Sequence, residues 1–207
     1  FLHLYMNFTD RKGKDFQQTF ARLDLFPTQE TMKEIPNHKD EKVIDYIYTD
    51  AEISNWTPGF LRNYLKNIND LLISGQGRGL YESNDEVPAA SQLAKTTLYV
   101  PDYVLERKEH LYGIGGGNQD SERLMKDYPY SYEFKSASQI SDMVLDGEDF
   151  YYLVYTRSST DKYFTVYHSI SGEIVYNAYK PMSYNLKNSD FKDIAKSVKK
   201  MEKKAGR

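Results

Sequence analysis

Four histidines, His3, His38, His110 and His168, are the side chains best able to move a proton near neutral pH. His110 is the leading general-base candidate, because Glu109 stands beside it and a glycine run, Gly113-Ile114-Gly115-Gly116-Gly117, follows directly. The backbone N–H groups of Gly115, Gly116 and Gly117 are able to cradle an anion or a carboxylate. That run lacks the Gly-Lys-Ser/Thr ending of a phosphate loop, so a tight turn competes with the binding reading. Gly75, Gly77 and Gly79 follow a helical pattern, which is the wrong context for a dinucleotide fingerprint. His38 lies in a polar stretch and reads as a surface residue. His168 closes a strand-like run in register with Phe164 and Val166, where a hydrogen-bonded structural histidine is the simplest account. The chain has no serine in a nucleophile-elbow pattern and no His-Glu-x-x-His pair.

Carboxylates cluster twice, at Asp142, Asp146, Glu148 and Asp149 and at Asp120, Glu122 and Asp127. Neither group has calcium-loop spacing, and both read as solvated acidic turns. With no cysteine, the chain lacks a thiol nucleophile, a thiolate metal ligand and a disulfide framework. No cofactor and no metal is expected. No stretch carries chemistry at a spacing diagnostic of one reaction.

Aromatic density is the other signal: 19 tyrosines and 10 phenylalanines stand beside one tryptophan. A tyrosine joins an apolar ring to a hydroxyl, which suits half-buried sheet faces and wet recognition surfaces. Tyr151 and Tyr155 share one parity, as do Tyr163 and Tyr167; the last two are the binding candidates that parity leaves on the surface. The partners such rings fit are a glycan, a peptide or another protein. A formal charge of −3 argues against a nucleic-acid binder, and no apolar run is long enough to cross a bilayer. The cysteine-free, asparagine- and tyrosine-rich composition, with a start at Phe1 like that of a processed or trimmed chain, leads us to expect an extracytoplasmic (periplasmic or secreted) setting.

The elements that must position these residues are most legible at the C-terminal end. Phe150 to Arg157, Tyr163 to His168 and Ile174 to Tyr179 are β-branched and aromatic runs joined by short turns, which predicts an antiparallel three-stranded meander. Phe150 to Arg157 has large residues on both parities, so it is expected to be covered on both faces. A helix from Asn188 or Ser189 to about Lys204 carries Phe191, Ile194, Ala195, Val198 and Met201 as a stripe. Residues 190–207 hold seven basic and three acidic groups, net +4, which leaves −7 for the remainder. The apolar stripe predicts docking on the chain's own sheet rather than on lipid or nucleic acid.

Further upstream, Thr57 and Pro58 open a helix to Ile73, and Ser138 to Leu145 predicts a second one. Asn118 to Lys126 has room for one or two helical turns. Strands are expected over Leu2 to Phe8, Val43 to Tyr48 and Thr96 to Val100, with short ones over Tyr103 to Leu105 and His110 to Ile114. Phe16, Phe20 and Leu23 recur at helical spacing, and Thr28 to Ile35 predicts a short helix. The fold class is therefore α+β: an antiparallel three-stranded C-terminal meander within a larger sheet, packed against amphipathic helices. One domain over residues 1–207 is expected, with a candidate subdomain boundary near 80–95. The function expected is that of a non-enzymatic extracytoplasmic binding or accessory protein. The alternative is a small hydrolase or transferase centred on His110 and the 113–117 glycine loop.

Overall fold

The computed structural model describes residues 2–9, 13, 15–23, 46–47, 57–74, 86–107, 116–157, 162–183 and 185–206. Strands β1 (Leu2–Thr9) and β2 (Asp15–Leu23) pair antiparallel around Gly13, whose φ of 77° lies in the left-handed region. β3 (Tyr46–Ile47) adds to β2 in parallel. The helical spacing of Phe16, Phe20 and Leu23 is overridden here. Pairing with β1 runs from Asp15 to Leu23 with one interruption, and three apolar residues cannot outweigh that ladder. The register passes from Leu4↔Ala21 to Tyr5↔Thr19, so Phe20 is the extra residue of a bulge. The helix expected at 28–35 and the strand expected at 110–114 lie outside the described residues.

The larger sheet has five strands, in the spatial order Ile174–Lys180, Lys162–His168, Tyr151–Arg157, Leu98–Pro101, Tyr132–Lys135. β8 (Tyr151–Arg157), β9 (Lys162–His168) and β10 (Ile174–Lys180) form the antiparallel meander that the sequence predicts. β4 (Leu98–Pro101) joins β8 in parallel, and β7 (Tyr132–Lys135) joins β4 in parallel on the outside. The fold is thus α+β with a mixed sheet. β5 (Glu106–Arg107) and β6 (Gly117–Asn118) make a separate two-residue antiparallel pair. Tyr103 to Leu105 is not a strand. It belongs to a 3-10 turn, Asp102–Leu105, that follows Pro101. The Tyr103 hydroxyl donates to the Tyr155 carbonyl at 3.1 Å and lies 3.3 Å from the Tyr155 N–H, tying this turn to β8.

Helices cover both faces of the sheet. α1 (Pro58–Ser74) and α3 (Ala137–Asp146) lie on one side; α4 (Asn188–Ala205) and a 3-10 turn, Pro88–Ala94, lie on the other. A short α2 (Ser121–Met125) packs beside α4. α1 precedes the 80–95 segment and the Pro88–Ala94 turn ends it; they pack on opposite faces of the same sheet. β8 separates two cores. Tyr151, Leu153 and Tyr155 enter the α4 core, while Phe150, Tyr152 and Val154 enter the α1–α3 core. The two-sided covering of this strand follows from its lack of a polar parity.

On the α4 side, Phe191, Ile194, Ala195, Val198 and Met201 are all buried, so the helix docks its stripe on its own sheet. Its N-terminus is held by Asp190, which accepts the Lys187 N–H at 2.8 Å and pairs with the buried Lys162 ammonium. On the other side, Phe60, Tyr152 and Tyr167 stack in sequence, with ring centroids 5.1 and 5.7 Å apart. Asn63 of α1 donates to the Tyr152 hydroxyl at 2.9 Å and to the Ser169 carbonyl at 2.7 Å.

Candidate functional site

Two groupings of side chains stand out from packing alone. The first runs along β7. Tyr128, Tyr130, Tyr132 and Phe134 are aromatic at every second position; the last two share a side of β7 (Tyr132–Lys135), and the first two lie in the bend that leads into it. Tyr128 is buried and meets Phe191 of α4 edge-on at 6.4 Å. Tyr130 and Tyr132 meet Tyr128 edge-on at 5.5 and 6.4 Å, and Phe134 meets Tyr132 at 6.0 Å. The row therefore leads from the core outward to Tyr132, which is 36% exposed. Burial raises the Tyr130 phenol above its ordinary range, helped by Glu202, whose carboxylate accepts its O–H at 3.2 Å. The Tyr128 hydroxyl is buried with no hydrogen-bond partner among the described residues.

On the opposite face of β7 the side chains are charged. Lys135 donates to Glu133 at 2.8 Å and sits over the Tyr99 ring at 5.2 Å. The Glu133 carboxylate holds the Lys135 ammonium above the usual lysine range. The exposed carboxylate of Glu148 acts on the same ammonium.

The second grouping lies at the end of β9. Asp149 Oδ1 is 2.7 Å from His168 Nε2, and Ser171 Oγ is 2.8 Å from His168 Nδ1. The Ser171 N–H also points at Nδ1, at 3.3 Å, which marks Nδ1 as the lone-pair nitrogen. Nε2–H then donates to Asp149, and the Ser171 O–H donates to Nδ1. This is the connectivity of a serine activated by a carboxylate-oriented base. The same bonds also close the 168–173 turn, where Gly172 N–H donates to the His168 carbonyl at 2.9 Å. Asp149 is 73% exposed, so water competes for its orienting bond.

The residues singled out by sequence fall differently. His110, Glu109 and Gly115 lie outside the described residues. Gly116 is exposed, and Gly117 opens β6 with φ at 99°. Tyr167 is not a surface residue: it is 5% exposed, inside the Phe60–Tyr152 stack. The parity argument did put it on the face of Tyr163, but α1 covers that face. Tyr163 is half-buried and stacks on its cross-strand partner Tyr179 at 4.9 Å. His168 is the hydrogen-bonded strand-end histidine that the sequence suggests. Neither carboxylate cluster gathers a metal-holding set among the described residues. Sequence reasoning missed the β7 row, although its period-two aromatics were a strand signal that Pro129 masked.

Fold and site together define an α+β domain with a mixed five-stranded sheet and an aromatic edge. No protein-family model, curated protein or solved structure matches this chain.

Proposed function

We propose that the chain is a non-enzymatic binding or accessory protein that takes a protein or peptide partner on the aromatic row of β7. One observation carries this reading: the rings climb from Phe191 through Tyr128 to the exposed Tyr132 at the edge of the sheet. Rigid aromatic rings anchored in a core give contact area at little entropic cost, the usual make-up of a binding hot spot. The test is binding to printed peptide and glycan arrays by the wild type and by the double variant Tyr130→Ala, Tyr132→Ala. Peptide spots bound by the wild type and weakened about tenfold or more in the variant are expected. Binding to glycans alone, or equal binding by both proteins, would overturn the reading.

A second reading, ester hydrolysis, is favoured by the Ser171–His168–Asp149 chain. In it, Ser171 Oγ attacks the ester carbonyl while its proton passes to His168 Nδ1; that proton then goes to the alkoxide as the ester C–O bond breaks and the alcohol leaves. Water, giving a proton to the same nitrogen, attacks the acyl-serine, and the acid departs as the proton returns to Ser171 Oγ. Hydrolysis of p-nitrophenyl acetate that disappears in Ser171→Ala would support this reading, and a rate unchanged by that substitution removes it.

A further inference from the structure

We propose that β7 binds its partner by strand addition: an extended peptide with basic residues between apolar ones pairs along the outer side of Tyr132–Lys135. This rests on the binding reading above and names the partner's chemistry. The Leu98 N–H donates to the Ser131 carbonyl at 3.0 Å, with Leu98 in register with Tyr132. Alternation then turns the backbone groups of residues 131, 133 and 135 toward β4, and the N–H and C=O of Tyr132 and Phe134 away from it. β7 ends the strand order, so among the described residues no strand pairs on that side. An extended chain laid there would bond to both residues while alternate side chains meet the two faces of β7.

Those faces fix the sequence of the partner. One face offers the rings of Tyr132 and Phe134, which suit an apolar or aromatic side chain. The other offers Glu133, which stays half-exposed while paired with Lys135 at 2.8 Å, and Glu148 acts on the same ammonium. The segment 133–149 holds five acidic residues and one basic, net −4. Asp142, Asp146 and Glu148 are exposed, while Asp149 is engaged by His168 of β9. A lysine or arginine opposite Glu133 is complementary to this field.

The probe is a fluorescein-labelled peptide, Val-Lys-Tyr-Lys-Val, titrated into the whole chain and followed by anisotropy. Three comparisons accompany it: the peptide N-methylated at alternate amides, the peptide with both lysines replaced by glutamate, and the protein variant Tyr132→Pro beside Tyr132→Ala. Proline at the first residue of an edge strand removes only an outward N–H, and the thermal midpoint checks that the variant folds. Strand addition predicts that N-methylation in at least one register weakens binding by about tenfold, the loss of one or two hydrogen bonds. It predicts that Tyr132→Pro weakens binding more than Tyr132→Ala, and that the amides of Tyr132 and Phe134 gain protection from hydrogen exchange. Glutamate peptide should bind roughly tenfold less tightly, a gap that closes in high salt.

Binding insensitive to N-methylation in both registers overturns strand addition while leaving the aromatic binding reading intact. Absence of binding by the lysine peptide, with array peptides still bound, does the same. A dimer of the free chain that Tyr132→Pro dissolves would assign the edge to a second copy instead. The methylated peptides use wild-type protein, so the proposal is decided even if the proline variant fails to fold.

Discussion

Lys162 and Asp190 are the most demanding residues in the fold. Both are almost fully buried, at 1% and 3% exposure, and the lysine's second acceptor is the Asn185 carbonyl at 2.8 Å. Burial pulls the Lys162 ammonium below its usual range, while Asp190 opposes that shift. Asp190 also holds the first turn of α4, so one carboxylate joins β9 to the helix that covers it. Replacing Asp190 by Asn keeps an acceptor for the Lys187 N–H but leaves a buried charge unpaired. Asp190→Asn is expected to lower stability by about 3–5 kcal/mol in urea unfolding, and adding Lys162→Met to the same chain should recover most of that loss. A double variant as unstable as the single one would show that the pair matters through packing rather than charge.

Among the elements, the crossing of α1 over α3 depends on one glycine. A Cβ built on Gly59 would stand 2.5 Å from the Ser141 carbonyl oxygen and 2.9 Å from its Cα. The Gly59 N–H also donates to Ser141 Oγ at 2.9 Å. Alanine would gain about 1 kcal/mol of helix propensity, but the contact is with backbone and cannot be relieved by a rotamer change. Gly59→Ala should therefore lower the thermal midpoint, with Phe60 and Tyr152 losing their stacked contact in the near-ultraviolet spectrum. The start of the Pro88–Ala94 turn is fastened differently. Glu86 accepts from Lys200 and from Lys204, the latter at 2.8 Å, and these two bonds lower its carboxyl from 4.5 to about 2. A carboxyl depressed in the folded state stabilises fully above the unfolded value and loses that effect as pH falls from 4.5 toward 2. The wild type should thus be more stable than Glu86→Gln at pH 7, with the difference shrinking through that acid window and in high salt. Equal midpoints at pH 7 would show that the exposed pairs contribute nothing.

At the scale of the molecule, β8 is shared by two cores, so damage to either face is felt by the other. Phe191 fills the α4 side and Phe60 the α1–α3 side, and both are almost fully buried. Phe191→Ala and Phe60→Ala are each expected to cost about 3–5 kcal/mol. Because β8 has no free face, far- and near-ultraviolet dichroism should report one coincident transition in both variants. Two separated transitions would mean that the faces unfold independently.

Local pattern determined the meander, helices α1, α3 and α4, and the burial of the α4 stripe. In each case a period of 2 or 3.6 ran long enough, or a turn or cap stood close enough, to leave one solution. The double covering of β8 was equally legible, because a strand apolar on both parities has nowhere wet to turn. Tertiary structure decided the rest. Phe16, Phe20 and Leu23 sit in a strand because β1 was available to pair with it. Tyr167 is core because α1 crosses its face, and parity assigns a face without saying what lies over it. β4 takes parallel partners on both sides, a choice made by chain crossovers rather than by any residue in the strand. The aromatic row of β7 was written in the sequence at Tyr128, Tyr130, Tyr132 and Phe134. That it stands at the end of the strand order among the described residues was settled by pairing between residues far apart in the chain.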